Sequence, residues 1–165
     1  MLSPIGVTEA QETGKSIMFM LETNPGPGLG ILLAYWVAGP RAVRPSIPGA
    51  AIIHFFGGIH EIYFPYVLMK PQLILAAIAG GASGVMIFLV TGAGLVATPS
   101  PGSIFAYLAV TPRGGYIGVL LGIVVATGVS FATGLGILGM SKERTAEAED
   151  ATPAPTTQTA APQGA

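Results

Sequence analysis

Hydrophobic residues fill the chain in long blocks, and two of these blocks are long enough to cross a membrane. The first covers residues 71–97 and the second covers residues 114–140. A membrane-spanning helix needs about 20 apolar residues, so each block can cross once. Both blocks are rich in Gly, Ala, Ser and Thr, which let helix backbones approach closely in lipid. The pattern predicts two transmembrane helices that pack against other helices.

Three further apolar blocks contain residues that break helices. Residues 16–39 are long enough to span, but the NPGPG motif at residues 24–28 cannot continue a regular helix. Residues 49–69 are interrupted by a Gly-Gly pair and by Pro65, and residues 98–112 form a short run bracketed by prolines. Irregular backbone at membrane depth is tolerated where protein buries it or water lines it. We therefore predict a broken third span and two re-entrant hairpins, and such breaks indicate a transporter's binding site.

The scarcity of charged residues places these blocks in a membrane. Charged residues make up 9% of the 165-residue chain and hydrophobic residues 51%, with a mean hydropathy of +0.67. A soluble domain usually carries about 25% charged residues. Between Arg44 and Lys142 the formal charges are Glu61, Lys70 and Arg113, too few to make a water-facing surface. We predict an all-α integral membrane protein with about three transmembrane helices, one of them broken, plus the two re-entrant hairpins.

The composition changes after Met140, where a charged stretch is followed by a segment of Pro, Thr and Ala. Such a segment cannot build a core, so we predict a membrane domain over residues 1–140 and a disordered cytoplasmic tail over residues 141–165. A cytoplasmic C-terminus satisfies the positive-inside rule, because most of the basic residues then fall inside. Those inside are Arg41, Arg44, Lys70, Lys142 and Arg144, and those outside are Lys15 and Arg113. We expect a multi-pass protein of the cell membrane.

Composition and motifs exclude several classes of function. The net charge is −1 and no basic patch is present, so nucleic acid is not an expected partner. The chain has no cysteine, and its two histidines, His54 and His60, lack a convincing set of further ligands, so we expect no metal site. No nucleophile–base arrangement or phosphate-binding loop is visible, so we expect no catalytic residue and no cofactor.

The adjacent residues His60 and Glu61 give the strongest indication of a binding site. A carboxylate at membrane depth is costly, and such residues normally face a cavity or pair with a partner. Glu61 offers acceptor positions that suit the hydroxyl groups of a polyol, and His60 adds a donor and an acceptor beside it. The alternative is that Glu61 lies near the membrane interface at the mouth of a hairpin and is solvated.

The other polar and aromatic candidates have two interpretations each. Asn24, in the NPGPG motif, either binds the ligand or caps a broken helix. His54 lies in an apolar segment, where a structural histidine is the favoured interpretation. Three aromatic residues either stack on a sugar face or belong to an aromatic belt at the membrane interface, namely Tyr63, Phe64 and Tyr66.

The chain resembles a family of membrane transporters over residues 3–140. The motifs NPGPG at residues 24–28 and GIHE at residues 58–61, in this order and spacing, carry the resemblance together with PSPGSIFAYLAVTPRG at residues 99–114. They are similar to the C-terminal half of the membrane subunit, enzyme IIC, of the mannitol-type bacterial phosphoenolpyruvate-dependent sugar phosphotransferase system.

The resemblance implies uptake of mannitol, or of a related sugar alcohol, across the bacterial cytoplasmic membrane with coupled phosphorylation. It implies that Glu61 is the carboxylate that contacts the substrate hydroxyls, with His60 beside it. In this family the phosphoryl group comes from a cysteine on a IIB domain, so this chain is not expected to carry the donor itself. The expected partners are a phosphorylated IIB protein, the N-terminal half of enzyme IIC, membrane lipids and a second copy in a homodimer.

Two functions from different classes are therefore expected. The first is a component of mannitol translocation, whose substrate-binding residues are Glu61, His60 and Asn24. The alternative is a truncated, non-transporting membrane remnant or an interaction subunit, because the resemblance begins partway through the family's membrane domain.

Overall fold

Helices joined by short irregular segments make up residues 3–150, the part of the chain that the computed structural model describes. Eight α-helices occur in these residues: α1 (Ser3–Thr13), α2 (Met18–Thr23), α3 (Gly26–Ala38), α4 (Ile47–Phe55), α5 (Phe64–Met69), α6 (Ile74–Val90), α7 (Ile104–Ala109) and α8 (Tyr116–Asp150). Within the same residues, β pairing is limited to one antiparallel bridge between Ser16 and Leu95. The predicted all-α class is confirmed.

Two helices in the described residues are long and apolar enough to cross a membrane. They cover Pro71–Val90, which is α6 with the 3-10 turn before it, and Tyr116–Met140 within α8. The first ends earlier than the predicted residue 97, because Gly92 adopts the left-handed conformation (φ +59°) that terminates many helices. Outward side chains on both are apolar, as at Val90 and Ile117, which are 82% and 80% exposed. Such faces suit lipid or another apolar helix.

The NPGPG motif ends one helix and begins the next. Asn24 has an extended backbone (φ −61°, ψ 113°), which is the conformation that a following proline favours. Helix α3 then starts at Gly26, and Pro27 occupies its first turn, where a missing backbone N–H costs nothing. The predicted helix break is present, and it lies at Asn24 and Pro25 rather than across the whole motif.

The apolar block that contains His60 and Glu61, residues 49–69, is also divided into two helical parts. The division lies at Gly57 and Gly58 and not at Pro65. Helix α4 ends at Phe55, and Gly58 takes a positive φ of 74° before a 3-10 turn at His60–Tyr63. Pro65, which the sequence suggested as a second interruption, instead lies in the first turn of α5. A proline is compatible with that position because the first N–H groups of a helix have no partner within it.

Helices α3 and α6 pack against α8 through small residues spaced four apart, which we call the small-residue seam. It consists of Gly26, Gly30 and Ala34 on α3, Gly80 and Gly84 on α6, and Ala126, Ser130 and Gly134 on α8. A Cβ atom added at Gly30 would lie 2.5 Å from the Thr127 carbonyl oxygen, and one added at Gly80 would lie 2.7 Å from the Ala126 carbonyl oxygen. The backbones are therefore too close for larger side chains.

Larger apolar side chains fill two clusters at the two ends of these helices. Leu73 and Leu138 belong to one cluster together with Tyr35. Phe88 and Val119 belong to the other. Since α6 runs from the first cluster to the second and α8 runs the opposite way, the two candidate spans are antiparallel.

Helix α8 continues to Asp150, beyond Met140, where the sequence predicted the start of a disordered tail. The remainder of that predicted tail, residues 151–165, lies outside the described residues.

The close approach of α3 to α8 predicts that Gly30→Ala destabilises the protein. The added Cβ would meet the α8 backbone, and we expect the free energy of unfolding to fall by about 1–3 kcal/mol, the usual cost of overpacking a core. Gly128→Ala is the matched control, because a Cβ at Gly128 meets nothing within 4 Å. Reversible unfolding in lipid–detergent micelles measures both variants, and equal stabilities would contradict the close approach.

Candidate functional site

Three irregular segments of the chain meet at one place. We call them the break segment (residues 23–28), the His–Glu turn (residues 56–63) and the PSPG loop (residues 99–102). Two imidazole rings connect them, because His54 hydrogen-bonds the break segment and His60 hydrogen-bonds the PSPG loop. The centroids of the two rings are 4.8 Å apart. Segments that are distant in the sequence thus form one polar region within an apolar protein.

His54 connects α4 to the break segment from a fully buried position. Its Nε2 atom lies 2.9 Å from the carbonyl oxygen of Pro25. A carbonyl oxygen can only accept, so His54 Nε2 carries the hydrogen. A Cβ atom at Gly28 would come within 2.6 Å of the rings of His54 and Tyr63, so this glycine makes the close packing possible. The geometry fits the structural interpretation of His54.

His60 lines a cavity of about 220 Å³ beside the break segment. The walls of this first cavity include Glu22, Asn24, Gly28, His60, Tyr63 and Gly81. His60 Nε2 lies 3.1 Å from the carbonyl oxygen of Gly102, so its ring is held between the cavity and the PSPG loop. His60 and Asn24, which the sequence proposed separately, therefore line the same cavity.

Glu61 lines a second cavity, of about 450 Å³, that adjoins the same turn. The other lining residues are His60, Tyr63, Phe64 and Pro65. Glu61 is exposed, and its carboxylate receives no hydrogen bond or ion pair from the side chains that the structure describes. His60 and Tyr63 line both cavities, so the two spaces share a wall. Of these two cavities, Asn24 lines the first and Glu61 lines the second.

Asn24 caps the restarted helix and also presents an unsatisfied donor. Its Oδ1 atom accepts a hydrogen bond from the Gly26 backbone N–H at 2.9 Å, which is the capping role weighed from the sequence. Its Nδ2 atom is buried without a partner among the described residues, and it faces Gly84 on α6. A buried donor without a partner costs about 1–3 kcal/mol, so this amide is suited to a ligand or a water molecule.

The three aromatic candidates have different surroundings. Tyr63 lines both cavities and packs edge-on against His54, with ring centroids 5.5 Å apart. Phe64 lines the second cavity and is 57% exposed. Tyr66 is buried in the core, where its hydroxyl pairs with Ser46, and it lines neither cavity. Tyr63 and Phe64 are therefore the two aromatic candidates that can contact a ligand in these cavities.

Two close approaches at the site were not foreseen from the sequence. They are the contact of Gly28 with His54 and the contact of Gly102 with His60, where an added Cβ would lie 2.7 Å from Nε2. The available signal was the position of both glycines in the Pro-Gly motifs NPGPG and PSPG.

The donors and acceptors at the site suit a ligand that carries several hydroxyl groups. A carboxylate accepts hydrogen bonds, an amide nitrogen donates them, and a neutral imidazole does both. Within the described residues, no group of three His, Cys, Asp or Glu side chains could hold a metal ion.

Comparison with known proteins matches residues 6–81 to the family model described as "Phosphotransferase system, EIIC". The "PTS system mannitol-specific EIICB component" of Geobacillus stearothermophilus is 70% identical over 130 residues, which are 79% of this chain and 28% of that protein. The protein of the same name from Bacillus subtilis is 66% identical over 141 residues, 86% of this chain and 30% of that protein. A "PTS system mannitol-specific EIICBA component" of Vibrio cholerae is 61% identical over 129 residues, 78% of this chain and 20% of that protein.

Residues 6–81 thus match the phosphotransferase system EIIC family, and most of the chain is similar to a part of proteins that contain this component. Within that family its resemblance is to the mannitol-type members, as the motifs NPGPG and GIHE predicted. The chain spans less than a third of the length of these relatives. No solved structure matches it.

The buried hydrogen bond of His54 predicts different effects for two substitutions. His54→Leu removes the donor to the Pro25 carbonyl, and we expect the free energy of unfolding to fall by about 1–3 kcal/mol. His54→Gln keeps an N–H donor on a flexible side chain and should restore part of this loss. Unfolding in lipid–detergent micelles measures both variants. A Gln variant no more stable than the Leu variant would show that this hydrogen bond adds nothing.

Proposed function

We propose that this chain forms part of the mannitol site of an EIIC transport domain and contributes to uptake coupled to phosphorylation. The observation that carries the proposal is the position of His60 and Glu61. They line two adjoining cavities, and His60 also hydrogen-bonds the PSPG loop. Ionisable side chains in an apolar protein normally serve a ligand or a partner. The names of the relatives supply the class of ligand, a sugar alcohol.

Each proposed binding residue has a role that its surroundings support. The Glu61 carboxylate accepts hydrogen bonds from substrate hydroxyl groups, since none of the described side chains forms a hydrogen bond or an ion pair with it. His60 lies beside it and lines the same second cavity. Asn24 donates from Nδ2, which is buried and unpaired in the described residues, after a small displacement that opens it to the first cavity.

We propose three membrane spans and two re-entrant hairpins for this chain. Helices α2 and α3 together form the broken span. Helices α4, α5 and α7 have 9, 6 and 6 residues, which is too short for a crossing that needs about 20. They form the hairpins, and the irregular backbone between them is satisfied by protein contacts such as the His60–Gly102 hydrogen bond.

The C-terminus lies in the cytoplasm in this proposal. Lys70 precedes α6 at the end that holds the cluster of Tyr35, Leu73 and Leu138. Lys15 donates a hydrogen bond to the Gly92 carbonyl oxygen at the other end of α6. The positive-inside rule assigns Lys70 and Lys15 to opposite sides of the membrane, and these two residues lie at opposite ends of α6.

The proposed partners follow from the relatives and from the apolar surface. The relatives are named as EIICB and EIICBA components, so we propose that a phosphorylated IIB protein delivers the phosphoryl group to the bound sugar alcohol. The remainder of an EIIC domain, a second copy of the chain and membrane lipids would cover the exposed apolar faces of α6 and α8.

The role of Glu61 predicts that Glu61→Gln weakens mannitol binding by about 10- to 100-fold, because hydrogen bonds to a charged acceptor contribute about 1.5–3 kcal/mol. Binding of radiolabelled mannitol is measured in membranes that contain the chain and the N-terminal portion of an EIIC domain as a separate polypeptide. Glu12→Gln, at an exposed position on α1, is the matched control and should bind like the wild type.

Unchanged binding by Glu61→Gln would remove this residue from the site. If the wild-type chain bound no mannitol in these membranes, the transport proposal would fail and the alternative of an interaction subunit would be favoured.

The topology predicts which side of the membrane reaches single cysteines in this cysteine-free chain. Arg41→Cys should react with an impermeant maleimide added from the cytoplasmic side, and Arg113→Cys should react from the outside. Both residues are exposed, so a lack of reaction would not be due to burial. Labelling of Arg113→Cys from the cytoplasmic side alone would contradict the proposed orientation.

A further inference from the structure

The PSPG loop contacts a residue of the site directly. The carbonyl oxygen of Gly102 lies 3.1 Å from His60 Nε2, across 42 residues of sequence. Because a carbonyl oxygen can only accept, His60 Nε2 must carry the hydrogen in this contact. The loop therefore determines which nitrogen of His60 is protonated when the ring is neutral.

The position of the loop is itself well determined. The next residue, Ser103, is 4% exposed, its backbone N–H donates to the Pro101 carbonyl oxygen, and its Oγ accepts from the Ala106 N–H at the start of α7. Gly58 lies so close that an added Cβ would be 2.5 Å from the Ser103 nitrogen. The His–Glu turn and the PSPG loop thus approach each other as backbones, with glycine at both contact points.

The second nitrogen of His60 is left for a ligand. Nδ1 of His60 makes no hydrogen bond to the described residues. Nδ1 of His54 is buried without a partner among these residues, but Nδ1 of His60 is not buried in this way. His60 lines both cavities. In the neutral ring with hydrogen on Nε2, Nδ1 is an acceptor.

We propose that the Gly102 carbonyl oxygen is a positioning group that holds His60 with Nε2 protonated, so that Nδ1 accepts a hydrogen bond from one hydroxyl group of the substrate. This inference rests on the proposed function. It adds a requirement on the substrate: one hydroxyl must donate to His60, in addition to the hydroxyls that donate to Glu61. A sugar alcohol with fluorine in place of that hydroxyl can accept but not donate, so it should bind about tenfold more weakly.

The protonated nitrogen of His60 can be measured without any substrate. The full chain is labelled with ¹⁵N-histidine, reconstituted in lipid with the N-terminal EIIC portion, and its imidazole nitrogens are recorded by NMR at alkaline pH. The sequence has two histidines, so His60→Gln assigns the signals by removing one set. We expect a protonated Nε2 and an unprotonated Nδ1 for His60. The opposite tautomer would overturn the inference.

Two pairs of variants test the contacts on either side of the ring. Gly102→Ala places a Cβ 2.7 Å from His60 Nε2 and should change the tautomer signal and weaken mannitol binding about tenfold. Gly49→Ala, where an added Cβ meets nothing within 4 Å, should change neither. His60→Asn keeps an acceptor near the Nδ1 position, whereas His60→Gln keeps a donor near the Nε2 position, so the Asn variant should bind mannitol more tightly.

The outcomes separate this inference from the proposed function. If the wild-type chain binds mannitol but His60→Gln binds it at least as tightly as His60→Asn, the acceptor role of His60 Nδ1 is overturned and the proposed function stands. If the wild-type chain binds no sugar alcohol, both are overturned, whichever tautomer the NMR signals show.

Discussion

The close approach of helix backbones along the small-residue seam is the constraint on which the rest of the structure depends. Inside a bilayer, apolar side chains gain little by leaving lipid for protein, so helices associate through tight packing. Glycines on α3 and α6 bring both helices within van der Waals contact of the α8 backbone, and Ser130 then donates to the Pro27 carbonyl oxygen at 2.8 Å. The start of α3 is thereby anchored to the longest helix.

This anchoring places the helix break, and with it the candidate site. Since α3 is held against α8, the break segment that precedes it must lie at the edge of the same core, next to α6. Asn24 accordingly packs against Gly84, and its amide nitrogen has no partner among the described residues. Capping of α3 orients the Asn24 side chain through Oδ1, and packing against α6 buries its Nδ2 atom. Together these two requirements leave the Nδ2 donor without a partner among the described residues. Such conflicts are typical of functional sites, where a ligand supplies what the fold leaves unmet.

The two histidines show how a protein with few polar residues can organise irregular backbone. Each ring donates from Nε2 to a carbonyl oxygen on a different segment, His54 to Pro25 and His60 to Gly102. The rings pack against each other, so the break segment, the His–Glu turn and the PSPG loop are connected in series. A displacement of one segment would be transmitted to the others through these short contacts.

The sequence by itself determined the membrane class, the two apolar helices and the helix break at Pro25, because these follow from composition and from the local geometry of proline and glycine. It also singled out His60, Glu61 and Asn24. It did not show that Pro65 begins a helix, that Asn24 and His60 line the same cavity, or which carbonyl oxygen each imidazole contacts. Those features depend on contacts across 29 and 42 residues, which no local pattern encodes. Only the packing of α3, α6 and α8 brings the segments together, and so decides what each polar atom faces.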